Sequence, residues 1–469
     1  MSTQRSGSSG GDTAIVWLRG DLRLHDHPAF AAAGSYAQLL PVFVFAPRLF
    51  GTTEFGFRKV GPYRAQFLLQ SLVELRDALR ERGSDLLLFR AEPARILAPL
   101  AQRIGAAAIW YQDEPGTEES VEVGALERAL AASGAAAGSA PTQLVAHHGA
   151  TLFHPDDLPF TPAQMPNVYS EFRRAAERHS AVRQPTAAPD RLPPLPPDLP
   201  GASHATAARD SVADGQLPAP IELPSVQELS GAPPQAADPR AALQFSGGES
   251  AGLARLRYYL WESDKLRRYR STRNGLLGAD YSSKFSPWLA HGCLSPRTIF
   301  AEVKRYEQER VKNDSTYWLG FELIWRDYFA YLARKYPAAI FRIDGPMQRR
   351  MEWNDDWETF DRWRRGATGD AFIDANMREI AATGYMSNRG RQNVASYLAR
   401  DLKVNWLMGA EWFEHLLVDY DPASNYGNWT YTVGVGTDPR RDRYFNPVTQ
   451  AAKYDPDGRY RAHWLEADT

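Results

Sequence analysis

The chain has 469 residues, a net charge of −2, and 43% apolar against 23% charged residues. This is a soluble globular composition with room for two or three domains, and no apolar run is long enough to span a membrane. The polar, Gly/Ser-rich start (residues 1–12) lacks the apolar core of a secretory signal and predicts a disordered tail. The single cysteine, Cys293, excludes intrachain disulfides and multi-cysteine metal or iron–sulphur clusters. The missing signal and the lone cysteine fit a cytoplasmic location; no metal is expected, and the chain is taken as a monomer.

Residues 13–180 alternate short apolar runs with helical patterns. The runs are Ala14–Leu18, Leu39–Phe45, Leu86–Phe89, Ala107–Tyr111 and Gln143–Ala146, rich in Val, Ile and Leu as buried parallel strands are. Tyr63–Arg82, Pro93–Ile104 and Glu119–Ala132 read as the helices between them. The repetition predicts an α/β domain built on a doubly wound, five-stranded parallel sheet, with ligands at the carboxyl ends of its strands. No GxGxxG follows the first strand, and Gly56–Gly61 has P-loop glycine spacing with Pro62 in place of the lysine. An NAD or ATP site is therefore not expected on this sheet.

Residues 181–240 hold 13 of the 33 prolines and predict a Pro/Ala-rich linker running over the surface. From 241 to 469 the spacing turns helical, as at Leu253, Leu256 and Leu260 and at Ile373, Met377 and Ile380. An all-α C-terminal domain follows, and it carries eleven of the 13 tryptophans. Nine Lys/Arg between Arg255 and Arg297 face only Glu262, Asp264 and Asp280. That balance suits a phosphate backbone, and equally a solvated helical face.

Four segments of this half carry chemistry. In Ala279–Trp288, Ser282, Ser283 and Ser286 lead into a helix, which suits a diphosphate or a simple capping cluster. In Phe321–Tyr328, Glu322 and Arg326 have ion-pair spacing, while Glu322 and Trp325 share a face. A half-buried carboxyl beside an indole has its pKa raised and can donate to a base carbonyl while the indole stacks on the base. In Gly384–Gln392, Ser387 or Asn388 can cap a helix over Asn393–Leu402. Arg389 and Arg391 then point to different sides, one inward to a cofactor and one outward to a phosphate; a solvated basic helix start fits as well. In Leu417–Trp429, Asp419, Asp421 and Asn425 crowd a turn. Asp419 can pair with Arg391, or the three can be turn-stabilising side chains.

Taken together, these segments resemble the photolyase/cryptochrome family. The opening Trp17–Asp26 resembles its first strand and loop. Phe55–Phe67, Asp374–Glu379, Tyr385–Gln392 and Ser424–Tyr431 resemble its cryptochrome DASH branch in particular. The lone Cys293 sets the chain apart from the branch with a four-cysteine iron–sulphur cluster. The resemblance implies FAD in the helical domain. Tyr269, Ser282, Ser283, Lys284, Phe285 and Ser286 would lie along its phosphates and ribose, and Arg326, Asn388, Arg391, Asp419, Asp421 and Asn425 on the flavin side. It implies photoreduction through Trp429, Trp406 and Trp353, with Trp429 nearest the flavin; Trp357 and Trp363 are read as packing. It implies repair of cyclobutane pyrimidine dimers in DNA by electron donation from excited FADH⁻. Glu322, Trp325 and Asn388 would then act on the lesion, and Arg389, Gln392 and Tyr431 on DNA. Tyr431 and Gln392 stand where duplex-repairing relatives usually carry Trp and Met, which implies a preference for single-stranded or locally opened DNA. A DNA-binding photoreceptor without significant repair is the alternative. The resemblance also implies a 5,10-methenyltetrahydrofolate antenna near Glu114, where a surface loop acid is the rival reading.

Overall fold

The computed structural model describes residues 13–137, 141–197, 199, 218–440 and 443–465. The tail expected at 1–12 and the middle of the proline-rich stretch lie outside the described residues. Five parallel strands form one sheet in the order β3-β2-β1-β4-β5: β1 (Thr13–Leu18), β2 (Gln38–Val44), β3 (Leu87–Phe89), β4 (Ala108–Gln112) and β5 (Gln143–His147). Each strand lies within a residue of its sequence-predicted run, and the order reverses at β1 as a doubly wound sheet requires.

Alternation along β1 assigns its side chains to two layers. Ile15 and Trp17 join Leu40, Val42, Ile96, Leu97 and Leu126 beneath helices Pro93–Ile104 and Thr117–Ala137. Ala14, Val16 and Leu18 face the opposite layer, with Leu72, Leu75 and Leu79 of helix Pro62–Glu81. That second core continues into the helical half through Leu256, Trp288, Leu323 and Tyr328. The C-terminal helices close over a further core around Trp363, Trp406, Phe413 and Trp429.

Buried polar contacts lock sheet and helices together. Arg297 holds Asp26 through two hydrogen bonds at 2.9 and 2.8 Å. Asp327, buried in helix Asp314–Lys335, accepts from the Leu152 and Phe153 amides at 2.9 and 2.8 Å. Near the carboxyl ends of β1 and β5, Asp21 accepts from buried His27 at 3.0 Å, with His147 at 3.3 Å. Burial opposes charge on Asp21, but the two imidazoles outweigh it and hold the carboxyl far below its usual range. The described parts of the proline-rich stretch lie against the sheet: Pro194 O accepts from Leu39 N, and Ile221 N donates to Leu88 O. No helix among the described residues is long and apolar enough to cross a membrane.

Candidate active site

The C-terminal helices enclose a cavity of about 490 Å³. All four chemically loaded segments open onto it, although they are far apart in sequence. Tyr269, Ser282, Ser283, Lys284, Phe285 and Ser286 line one side. Arg255 shapes that segment from behind, donating to the carbonyls of Ser283 and Ala279 at 3.0 and 2.9 Å and pairing with Asp280 at 3.0 Å. Lys284 bends the chain at φ +55° and buries its ammonium against Tyr281 and Tyr385. Burial pushes it down to about 7, against the pull of nearby Glu379.

Opposite, of the two caps the sequence offers Ser387 is the one used: its Oγ accepts from Gly390 N at 2.9 Å, so helix Asn388–Ser396 begins five residues before the apolar pattern at Asn393. Arg391 points to Asp419, with contacts of 3.0 and 2.8 Å, and donates through Nε to Met386 O. Burial opposes its charge, but Asp419 outweighs burial and raises the guanidinium above its usual range. Arg389 turns elsewhere, to Asn274 and the face of Tyr454. Asn388 and Gln392 stand on the same rim. Asp421 caps helix Pro422–Val433 through Ser424 N at 2.7 Å, and Asn425 donates to Ala410 O at 3.0 Å.

The third wall is helix Asp314–Lys335. Glu322, Trp325 and Arg326 all line the cavity, yet Glu322 does not pair with Arg326. It accepts instead from Arg273 and from Trp318 Nε1, while Arg326 donates to the carbonyls of Ala150 and Leu289. Burial raises the Glu322 pKa, and Arg273 and Trp318 only partly offset this. Trp325 and Tyr431 meet edge to face, centroids 5.5 Å apart and planes at 80°, forming an aromatic corner. Arg443 holds Tyr431 by a 2.7 Å hydrogen bond to its hydroxyl while lying 4.6 Å from its ring centre. Behind Trp325 lies Tyr169, ring centroids 3.5 Å apart and planes 10° apart.

Among the tryptophans, Trp325 and Trp429 line the cavity. Gly409 makes room for Trp429: a Cβ there would lie 2.4 Å from its ring. Trp406 stacks on Trp429 at 6.4 Å and 25°. Trp353 is half-buried, bonds Ala399 O through its indole, and touches no other aromatic ring among the described residues.

Tyr169 and Arg443 carry no signal in the sequence, and Arg255 and Arg273 figure there only as members of the basic run. The basic run is likewise only partly a face. Arg255, Lys284 and Arg297 are buried, while Arg257, Lys265, Arg267, Arg268 and Arg270 are exposed.

A second cavity, about 220 Å³, lies between sheet and helices and shares Ala290, Arg326, Tyr420 and Asp421 with the first. Glu114 lines it. Its carboxylate accepts from Gly20 N at 2.9 Å and Gln112 Nε2 at 3.2 Å, so it is a wall residue and not a free surface acid. Burial raises its pKa, with Arg19 opposing.

Three serines, a lysine, the Arg391–Asp419 pair and an asparagine all line one cleft. This donor set suits a dinucleotide carrying a heterocycle, and the comparisons agree. A model described as the FAD binding domain of DNA photolyase matches residues 318–467, and one described as DNA photolyase matches residues 14–193. A cryptochrome DASH of Gloeobacter violaceus is 49% identical, over 97% of this chain and 85% of that one. Another, of Natronomonas pharaonis, is 48% identical, over 97% and 90%. The crystal structure of a Synechocystis cryptochrome superposes with a TM-score of 0.87 at 45% identity, covering 97% of this chain and 88% of that one. A bacterial class III photolyase of Agrobacterium tumefaciens gives 0.78 at 26% identity, over 98% and 88%. The helical half is thus a flavin-binding domain on a photolyase-type α/β partner. The chain belongs to the photolyase/cryptochrome family and, within it, to the cryptochrome DASH branch.

Proposed function

We propose that this protein is a blue-light-driven lyase for cyclobutane pyrimidine dimers in DNA, acting best on single-stranded or locally opened strands. The observation that carries the reading is the placement of Glu322 and the Trp325–Tyr431 corner in the same cavity as the cofactor-binding residues. Signalling alone needs no such corner.

FAD would be held by Arg391 with Asp419, by Asn425 and Asp421, and by the hydroxyls of Ser282, Ser283 and Ser286. When bound, reduced and lit, it supplies the electron that splits the dimer and receives it back. The chain supplies the setting. Glu322, whose pKa burial raises, would hydrogen-bond the pyrimidine pair and so stabilise negative charge that builds there. Asn388 offers an amide from the opposite rim. Trp325 and Tyr431 bracket the pyrimidine pair. A tyrosine ring covers less of a flipped pair than an indole, so less of the cost of unstacking is offset and opened strands are favoured. Arg389 and Gln392 at the mouth meet the flanking strand. In the second cavity, Glu114 and its neighbours would hold a folate antenna, next to the flavin across a shared wall.

Dimer splitting under blue light on matched single-stranded and duplex oligonucleotides tests this. Turnover on the single strand exceeding that on the duplex is expected. No turnover on either overturns the lyase reading in favour of a DNA-binding photoreceptor.

A further inference from the structure

Trp429 touches two buried tryptophans, not one. Trp406 lies at 6.4 Å on one side and Trp363 at 6.5 Å on another. Both are fully buried, and both commit their indole N–H to a backbone carbonyl: Trp406 to Ile343 at 3.0 Å and Trp363 to Val394 at 3.1 Å. The two differ in what comes next. From Trp406 no ring contact leads to Trp353, whose own N–H is tied to Ala399 O at 2.9 Å. From Trp363 the contacts continue to Phe360 at 5.6 Å and on to Trp357 at 5.8 Å. Trp357 is 45% exposed, and its indole N–H makes no hydrogen bond among the described residues.

We propose that Trp363 and Trp357 form a second electron route to Trp429, ending at its own solvent-exposed indole. The proposal rests on the reading that Trp429 photoreduces the flavin. Trp429 gives one electron to the lit flavin, Trp363 returns one to Trp429, and Trp357 returns one to Trp363. Phe360 fills the gap as packed matter for the electron to cross and is not itself oxidised. Trp357, now one electron short, loses its indole proton to water, and an external thiol restores the hydrogen atom and is oxidised. The exposed end is what makes the branch useful. An oxidised indole is far more acidic than the neutral ring, and losing its proton makes return of the electron unfavourable. A backbone carbonyl cannot take that proton, so Trp363, Trp406 and Trp353 hold theirs. Trp357 faces the solvent that accepts it.

The test is blue-light flavin reduction with a thiol, in the FAD-loaded full chain, comparing Trp429→Phe, Trp353→Phe, Trp357→Phe and the Trp353→Phe/Trp357→Phe pair. Trp429→Phe is expected to slow reduction by an order of magnitude or more. Trp353→Phe and Trp357→Phe should each lose only part of the parent rate, and the pair should fall to the level of Trp429→Phe. If Trp353→Phe alone is as slow as Trp429→Phe, or the pair reduces like the parent, the branch is overturned. A parental rate in Trp429→Phe would instead remove the whole relay. Transient absorption gives a second readout that does not depend on a buried variant folding: the deprotonated tryptophan signal should shrink in Trp357→Phe, and an undiminished signal counts against the branch.

Discussion

Tyr169 lies flat against the face of Trp325 turned away from the cavity, its ring 3.5 Å from the indole and its hydroxyl bonded to Phe321 O at 3.0 Å. Tyr169 opens a helix, Tyr169–His179, that packs on Asp314–Lys335. The α/β half thus fixes the indole that would receive a pyrimidine. Offset or edge-to-face aromatic pairs are worth about 0.5–1.5 kcal/mol beyond burial, and rings overlaid this squarely at most that. Tyr169→Leu is expected to free the indole and raise KM for single-stranded dimer by about 3–10-fold, which is that energy converted at 1.4 kcal/mol per decade. Tyr169→Phe keeps the ring and should stay close to the parent. KM measured alongside flavin content separates this from a general loss of fold. Equal behaviour of the two variants would remove the backing role.

The Arg391–Asp419 pair carries the next expectation. Asp419 is buried, so removing it strands a guanidinium that the same burial already disfavours. Breaking a fully buried pair from one side costs about 3–5 kcal/mol, an upper bound here because 24% of the Arg391 side chain is exposed. Asp419→Ala should therefore emerge largely colourless, with Arg391→Leu similar. Asp419→Asn, which still accepts one bond, should retain an intermediate share of FAD. The ratio of flavin to protein absorbance after desalting reads all three.

Much of this was legible in the chain, for reasons that differ by element. The strands were readable because each is a short Val/Ile/Leu run bounded by turns, so composition alone locates it. The start of the Asn388 helix was readable from capping chemistry at Ser387, whereas apolar spacing alone shows only from Asn393. The basic run misled in part, since Arg297 finds Asp26 and Arg255 finds the 279–283 loop, contacts that no local pattern encodes. Tyr169 carried no signal at all: it is an aromatic on an amphipathic helix until the fold sets it behind Trp325. Glu322 was readable as a carboxyl beside an indole, but its partners Arg273 and Trp318 were not.

Glu114 is spoken for by Gly20 N and Gln112 Nε2, so its side chain shapes the second cavity even without a ligand. Both bonds end on one oxygen, so Glu114→Gln can keep them, but it puts an NH2 where the other oxygen lay 3.6 Å from Arg19 Nε and removes the charge. The protein should still fold and bind FAD, but should copurify with less folate. Chromophore release in denaturant followed by chromatography measures both. Unchanged folate content would detach Glu114 from the antenna.

Glu414 gives a pH dependence that can be worked through. It sits on helix Trp406–Leu416, buried at the second cavity with Arg64, Lys59, Tyr420 and Glu118 around it. Burial dominates and raises its carboxyl from 4.5 to about 7, although Arg64, Lys59 and Tyr420 pull the other way. The folded state then binds a proton that the unfolded chain gives up. The contribution of Glu414 to stability is whole below about pH 4.5 and is lost as the pH rises towards 7 and beyond. The shift corresponds to about 3 kcal/mol at its full extent. Glu414→Gln copies the neutral acid in shape and cannot ionise, so it should match the parent near pH 4, exceed it increasingly up to about pH 7, and level off above that. Other buried carboxyls titrate in the same range, notably Asp327 near 7, but they are common to both proteins and cancel in the difference. Denaturant midpoints of the FAD-loaded proteins across this range measure that difference. A flat difference would mean that Arg64 pairs with a charged Glu414, and that desolvation is not the stronger influence on this carboxyl.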